Sequence, residues 1–263
     1  MIQEVDTLDF KINLNTSFPL INAVLLNSQQ GNIYKLVNYS NAYFIFHKAG
    51  FSYLNIISDI DYSEFVNFLI MSEKMPPYFH IYNAPSQIVS FLEEKKNMIS
   101  IRIRKRFQLK FNGKTIKNHR NHLPTDYRLC RIDEKIFNKL AIFKLQLENR
   151  FWKNREDFLK NGFGFCILNQ VNSPVALCYS ACVTDNNAEI DVMTLIEYRQ
   201  KGLAKIVVNE FVKYCLDHNL IANWDCFEDN KSSVRTAYSI GFENILTYDL
   251  LSIFNKEKKY ETN

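Results

Sequence analysis

Apolar residues recur at strand and helix spacings along the first half of the chain. Two short alternating runs flank the turn Lys48-Ala49-Gly50 and predict a β-hairpin. An apolar stripe at helical spacing follows the acidic start at Asp61, and Pro76-Pro77 ends it. The pattern predicts strands at 41–46, 51–56, 78–82 and 99–111, and helices at 61–71 and 86–94.

The second half alternates strands and helices more regularly. A strand and a long helical segment come first, and a hairpin with Pro174 in its turn follows them. The next strand runs directly into an amphipathic helix that reaches about residue 218, and a short helix ends at Gly241-Phe242. The predicted strands are 127–132, 163–168, 175–184, 189–195, 220–226 and 245–254, and the long helical segment is 133–160.

The turn between the strand at 189–195 and the amphipathic helix has the properties of a phosphate site. Gly202 and the small Ala204 allow a backbone to approach a bulky group closely. The first turn of a helix has unpaired N–H groups and a partial positive charge, which together suit a phosphate or pyrophosphate. The order of residues is neither that of a P-loop nor that of a dinucleotide fingerprint.

The segment Arg199-Gln-Lys-Gly-Leu-Ala204 resembles the R/Q-x-x-G-x-G/A turn of the GNAT superfamily of N-acyltransferases. The second half also shows the order of elements of that superfamily's C-terminal half: strand, turn, helix, strand, Asn230, helix, Gly-Phe and strand. Residues 161–168, 188–190, 198–204 and 224–226 with Asn230 look like the subgroup that includes zwittermicin-A-resistance acetyltransferases. The resemblance implies an α+β fold: a mostly antiparallel sheet flanked by helices in the C-terminal half, preceded by a smaller α/β unit.

A polar segment with little apolar periodicity, 112–127, separates the two halves. It predicts an N-terminal α/β unit at 1–125, whose role the sequence does not reveal, and a GNAT N-acetyltransferase domain at 126–263. The first unit loosely echoes the order of elements in the second, so we interpret it as a degenerate duplicate. A wall of the acceptor site and a dimer contact are both open roles for it.

The resemblance also implies how acetyl-CoA, the expected co-substrate, is bound. The strand end at residues 193–195 would pair with the pantetheine arm, and an N–H near Thr194 or Leu195 would polarise the thioester carbonyl. Asn230 would contact the arm, although Asn is equally suited to cap the last helix. The predicted coenzyme-binding residues are Met193, Thr194, Leu195, Arg199, Gln200, Lys201, Gly202, Leu203, Ala204 and Asn230.

An amine must lose a proton before it attacks a thioester, so the reaction requires a general base. Glu189 is the first candidate and Asp191 the second, since they lie two apart on one strand. The alternative is that both are surface residues at the start of that strand.

Many superfamily members carry a Tyr as general acid four residues before the Gly of Gly-Phe. Ala237 occupies that position here, and Tyr238 is its neighbour. Tyr238 is therefore the candidate acid, or else an aromatic anchor on the sheet. Trp224 and Asp225 are the candidates for acceptor binding.

Composition limits the remaining classes of function. The 263 residues are 47% hydrophobic, enough for a core. Six cysteines form no C-x-x-C, and no Cys/His spacing resembles a zinc site, so we expect no metal. Reduced, buried thiols are expected in a cytoplasmic protein, with a disulfide pair as the alternative. No apolar run is long enough for a membrane span, and no signal peptide is visible.

The leading hypothesis is an acetyl-CoA-dependent N-acetyltransferase that acetylates a primary amine of a small molecule directly, such as an antibiotic or an amine metabolite. The alternative is a catalytically weak GNAT-like module that binds coenzyme A or docks a partner. A basic run at 102–120 suggests nucleic-acid binding as a third, weaker hypothesis. Charge runs are more often solvated faces, and the net charge is only +4. A homodimer is an open alternative.

Overall fold

The computed structural model of the protein describes residues 1–6, 14, 16–56, 60–113, 123–145, 150–184 and 186–258. The chain divides into two compact units, residues 1–106 with 248–263 and residues 107–247. The division into 1–125 and 126–263 stays a prediction, because compact units need not coincide with domains.

The first unit is an α/β unit with a mainly antiparallel sheet. Its strand order is β1-β2-β3-β4-β5-β12, and β4 and β5 are parallel. The strands are β1 (Ile2–Val5), β2 (Gly31–Leu36), β3 (Tyr43–His47), β4 (Phe51–Asn55), β5 (Tyr78–Tyr82), the start of β6 (Ile99–Phe111) and the end of β12 (Phe242–Asn255). The helices are α1 (Pro19–Leu25), α2 (Tyr62–Met71) and α3 (Ser86–Glu93).

One face of helix α2 forms much of the first unit's core. The carboxylate of Asp61 caps the helix by accepting the Ser63 N–H at 2.8 Å. The apolar stripe of the helix then packs on the sheet, with Phe65, Val66 and Leu69 each about 1% exposed.

The second unit has a sheet of order β7-β8-β9-β10-β11-β6, in which β10 and β11 are parallel. The strands are β7 (Arg128–Arg131), β8 (Gly164–Leu168), β9 (Pro174–Thr184), β10 (Asn187–Thr194), β11 (Ile221–Phe227) and the end of β6. The helices are α4 (Glu134–Phe137), α5 (Arg155–Asn161), α6 (Leu203–Asp217) and α7 (Lys231–Ile240), with 3₁₀ turns at Leu140–Phe143 and Ile196–Tyr198.

The two units repeat one order of elements. In each, an edge strand and a helical segment precede three antiparallel strands, and a crossover helix then leads to a parallel strand and another helix. Helix α2 is the crossover in the first unit and α6 in the second. The order supports the interpretation of the first unit as a duplicate.

Most of the predicted elements are present. The strands at 78–82 and 99–111 match β5 and β6, and the predicted hairpins are β3–β4 and β8–β9. The helical segment predicted over 133–160 is present, but it is broken into shorter pieces. Lys144 has a left-handed backbone (φ 54°) that ends one helical segment, and Asn154 caps a new one.

The basic run at 102–120 is only partly described, since 114–122 lie outside the described residues. Within it Arg102 is exposed and Arg104 and Arg106 are half-buried.

Candidate active site

The parallel strands β10 and β11 separate part-way along their length. They pair only from Asn187 with Ile221 to Glu189 with Asn223. Beyond Glu189, β10 stays bonded to β9, and the Leu195 N–H donates to the Val175 carbonyl at 3.0 Å. Because N–H groups alternate along a strand, the N–H of Thr194 points away from β9 towards the gap. The gap therefore exposes main-chain donors and acceptors of β10.

The N-terminus of helix α6 lies directly after this strand end. Gly202 is its N-cap, with a left-handed backbone (φ 75°) and no side-chain cap. The first helical bond runs from the Ile206 N–H to the Gly202 carbonyl at 3.2 Å, so the amides of residues 203–205 have no acceptor within the helix. A Cβ added at Gly202 would meet nothing within 4 Å. This open helix end carries the positive end of a helix dipole.

A cavity of about 710 Å³ joins the gap to this helix end. Among the described residues, three basic side chains line it, Arg199, Lys205 and Arg235, and no acidic residue does. The hydroxyl oxygen of Thr194 is buried and has no hydrogen-bond partner among the described residues. The remaining lining residues are Val192, Met193, Tyr198, Gln200, Gly202, Leu203, Ala204, Trp224, Asn230, Ser232, Ser233, Thr236 and Ser239. The electrostatics favour an anionic ligand.

Asn230 forms the opposite rim of the cavity. Its side-chain oxygen caps helix α7 by accepting the Ser233 N–H at 3.2 Å and the Ser232 hydroxyl at 2.9 Å. The capping role is confirmed, and among the described residues the amide nitrogen of the same side chain has no hydrogen-bond partner. Next to it, Trp224 is 3% exposed and donates its indole N–H to the Ser233 hydroxyl at 3.0 Å. Trp224 is therefore a fixed wall of the cavity.

Glu189 and Asp191 differ in their surroundings. Glu189 is only 6% exposed and pairs with Asn223 in the last step of the β10–β11 ladder. Burial, with the nearby charge of Glu189, raises the pKa of the Cys182 thiol well above its ordinary value. Glu189 is therefore a buried carboxylate at the base of the gap.

Asp191 is held by two partners. The Tyr179 hydroxyl donates to its carboxylate at 2.6 Å, and the Arg150 guanidinium pairs with the same oxygen at 2.8 Å. Burial, and next the charge of Asp191, raises the pKa of Tyr179 well above its ordinary value, so the phenol stays protonated as a donor. The carboxylate of Asp191 is thus held in place by a phenol and a guanidinium.

Four other predicted site residues lie outside the cavity wall. Leu195 uses its N–H in the sheet, and the Lys201 ammonium lies 5.0 Å from the centre of the Tyr198 ring. Tyr238 is 44% exposed, about 100° around helix α7 from the cavity-lining Ser239. Asp225 follows Trp224 on β11, so its side chain points to the opposite face of the sheet.

Sequence reasoning missed several lining residues, most of them on helix α7. Ser232, Arg235, Thr236 and Ser239 recur at spacings of three and four, which places polar side chains on one helix face. That periodicity was visible in the sequence. Val192, Tyr198, Lys205 and Ser233 carried no comparable signal.

Within the described residues, no group of three or more His, Cys, Asp or Glu is placed to hold a metal ion. The described helices include none that is long and apolar enough to cross a membrane.

Comparison with protein families gives a match over most of the chain. The model of a family described as GNAT acetyltransferase matches residues 22–251, which covers both units. A curated relative, "Uncharacterized N-acetyltransferase YdfB" of Bacillus subtilis (strain 168), is 36% identical over 128 residues. These are 49% of this chain and 49% of the relative, so the chain spans about half the length of the curated relative that it matches.

Solved structures share the fold at low sequence identity. A GCN5-related N-acetyltransferase-like protein from Streptococcus suis 89/1591 superimposes with a TM-score of 0.72 at 20% identity, over 90% of this chain and 93% of its own. A tandem GNAT protein from the clavulanic acid biosynthesis pathway gives 0.56 at 9% identity, over 89% and 85%. An acetyltransferase from the GNAT family from Colwellia psychrerythraea gives 0.55 at 10% identity, over 97% and 99%. These likenesses establish the fold alone.

Proposed function

The chain belongs to the GNAT acetyltransferase family, and from that premise we propose that it transfers an acetyl group from acetyl-CoA directly to a primary amine of a small molecule. The observation that carries this proposal is the cavity at the N-terminus of helix α6. It combines an uncapped helix end with a wall that, among the described residues, has three basic side chains and no acidic one, and it lies beside the gap between β10 and β11.

The residues of the cavity fit coenzyme A. The diphosphate would be held by the amides of residues 203–205, with Arg199 and Lys205 as nearby cations. The pantetheine arm would extend along β10, where Thr194 offers a main-chain N–H and a buried hydroxyl without a partner. When bound, acetyl-CoA supplies the acetyl thioester.

The acceptor would approach from the face of the sheet that bears Glu189 and Asp191. Asp225 lies on the same face of β11, because Trp224 beside it faces helix α7. An acidic face attracts a protonated amine. Glu228 and Asp229 are two further acidic residues directly after β11, whereas Asp185 lies outside the described residues.

Glu189 is the base in this proposal. Its burial at the base of the gap keeps it near a reacting amine, and Asp191 is already engaged by Arg150 and Tyr179. The carboxylate of Glu189 would take the ammonium proton directly or through one water. The N–H of Thr194 would stabilise the oxygen of the tetrahedral intermediate, since that of Leu195 is used by Val175.

The proposal also covers the acceptor, the location, the assembly and the first unit. An aminated antibiotic is one acceptor that suits the acidic face, in keeping with the resemblance to zwittermicin-A-resistance acetyltransferases. The cytoplasm is the proposed location, and a homodimer is the proposed assembly. The first unit is proposed as a GNAT-like duplicate that does not bind coenzyme.

One observation favours the second candidate, a module that binds coenzyme A without turnover. Ala237 is fully buried at the position where the family resemblance expects a general acid, and Tyr238 lies outside the cavity wall. A coenzyme thiolate is a good enough leaving group for transfer without that acid, so the enzyme remains the first candidate.

Two measurements separate the candidates. Calorimetry with acetyl-CoA measures binding, and a colorimetric thiol assay with a panel of primary amines measures transfer. Binding together with amine-dependent thiol release supports the transferase. Binding without release for any amine supports the module, and no binding refutes both.

A further inference from the structure

Two cysteines face each other at the edge of the second unit's sheet, away from the cavity. Cys130 on the edge strand β7 is directly opposite Cys166 on β8, and their Sγ atoms lie 3.4 Å apart. Both are free thiols, Cys130 half-buried and Cys166 fully buried. One of the two residues is therefore partly exposed, and the thiol of the other is within its reach.

The backbone permits a covalent link between them, although a strained one. Ile132 donates its N–H to the Gly164 carbonyl at 2.8 Å, so the pair two residues along, Cys130 and Cys166, is also a hydrogen-bonded pair of the ladder. Residues in such pairs have Cα atoms about 5.5 Å apart, which lies within the range found for disulfides. Their Cβ atoms are also about 5.5 Å apart, wider than the usual range of about 3.5–4.5 Å, so a disulfide here would be strained and readily reduced.

The two thiols are chemically unequal. A hydrogen bond from the Cys166 thiol, together with the charges of Arg128 and Lys139, lowers the pKa of Cys130. The same hydrogen bond and burial raise the pKa of Cys166. Since the thiolate is the nucleophile, Cys130 reacts first.

We propose that Cys130 and Cys166 are a redox-active pair that a low-molecular-weight disulfide oxidises reversibly to an intramolecular disulfide. The Cys130 thiolate attacks one sulfur of the oxidant, forms a mixed disulfide and releases one thiolate. Cys166 then loses its proton, attacks the Cys130 sulfur and releases the second thiolate. Two protein thiols are thereby oxidised, and one disulfide is reduced to two thiols.

The link would close the segment from 130 to 166, which includes Arg150, the partner of Asp191. A closed loop of this length restricts the unfolded chain, so we expect oxidation to raise the melting temperature by several degrees, about 5 °C.

The test is oxidation of the folded protein with oxidised glutathione, followed by alkylation, digestion and mass spectrometry. We expect a Cys130–Cys166 linked peptide that is about 2 Da lighter than its two thiol peptides and that dithiothreitol removes. The buried Cys178, Cys182, Cys215 and Cys226 should stay reduced. Absence of the linked peptide in the native protein, or equal linkage among the buried cysteines, would overturn the proposal.

Matched variants test the order of attack. C166S lacks the second thiol and should accumulate glutathione on Cys130 at least about tenfold over the native protein. C130S should leave Cys166 unmodified, because Cys166 is buried. Modification of Cys166 in C130S, or no accumulation in C166S, would contradict the assigned roles. The native-protein experiment decides the proposal even if a variant fails to fold.

Discussion

Helices α2 and α6 hold the same position in the repeated order of elements, but their N-termini are built differently. The α2 terminus is capped by the Asp61 carboxylate, and its first turn holds Glu64, which pairs with the N-terminal ammonium. The hydrogen bonds from Ser63 lower the pKa of Asp61 and keep it ionised. The α6 terminus begins at Gly202, which has no side chain to place there.

The difference shows how one architecture gains or loses an anion site. Both helix ends have the same dipole. At α2, however, the Asp61 carboxylate already accepts one amide N–H, and its negative charge repels an anionic ligand. The ladders before the two helices also differ. The parallel ladder of β4 and β5 ends at Tyr53 with Tyr82, whereas that of β10 and β11 ends at Glu189 with Asn223. The proposed base and the proposed phosphate site therefore both belong to the second unit.

The largest effect is expected from Glu189→Gln, which makes the ladder end of the second unit as uncharged as that of the first. We expect kcat to fall at least about 100-fold because the proton acceptor is lost. Coenzyme affinity should stay within about twofold, since Glu189 does not line the cavity. Steady-state kinetics with calorimetry measures both, and the acidic limb of the pH–rate profile should disappear.

Asp191→Asn is the matched control two residues along the same strand. Its carboxylate is already paired, so kcat should fall less than about tenfold. A larger loss for Asp191→Asn than for Glu189→Gln would reverse the assignment of the base.

The next effect is expected from Gly202→Asp, which gives α6 the acidic cap of α2. We expect coenzyme A to bind about 30-fold more weakly, roughly 2 kcal/mol, since the new carboxylate would oppose the diphosphate. Gly113→Asp is a matched control, because Gly113 has φ 70°, a Cβ there would meet nothing within 4 Å, and it does not line the cavity. Equal losses of affinity in both variants would mean that a general loss of stability, not a carboxylate at the α6 terminus, is responsible.

Acidification should destabilise the first unit more than the second. Burial lowers the pKa of His47 to about 3 and that of His80 to about 4. Unfolded histidines bind protons below about pH 6.5, so stability is lost as the pH falls from 6.5 towards 4, by about 1–2 kcal/mol per histidine at pH 5. The histidine described in the second unit, His218, is exposed.

Amide hydrogen exchange at pH 7 and pH 5, corrected for intrinsic rates, measures this difference. Peptides from β3 and β5 should lose more protection than those from β9 and β10. At pH 5, the His80→Gln variant should keep part of the amide protection that the native protein loses in these peptides. Equal loss in both units would exclude the two histidines as its cause.

The smallest effect is expected from Tyr238→Phe. Tyr238 is exposed and does not line the cavity, so kcat should change by less than about twofold. Steady-state rates suffice to measure it. A loss of tenfold or more would restore Tyr238 as the general acid and imply that helix α7 turns when coenzyme binds.

The pattern of apolar residues predicted the elements that position the cavity, because the strand before α6 and the helix itself have strong periodicity. The pattern did not reveal the helix break within 133–160, because helical spacing of apolar residues continues across Lys144. The repeat of the two units was only loosely visible, since strands β1 and β2 carry weak local signals. The engagement of Asp191 by Arg150 and Tyr179 joins residues distant in sequence, so no local pattern could have revealed it.

The most direct test of the account follows the backbone amides of the two helix ends by nuclear magnetic resonance while coenzyme A is added. We expect the largest amide shifts at Gly202, Leu203, Ala204 and Lys205, and none in the first turn of α2. Shifts confined to the α2 terminus, or saturation by coenzyme A without any change at residues 202–205, would contradict binding of the diphosphate at the α6 terminus.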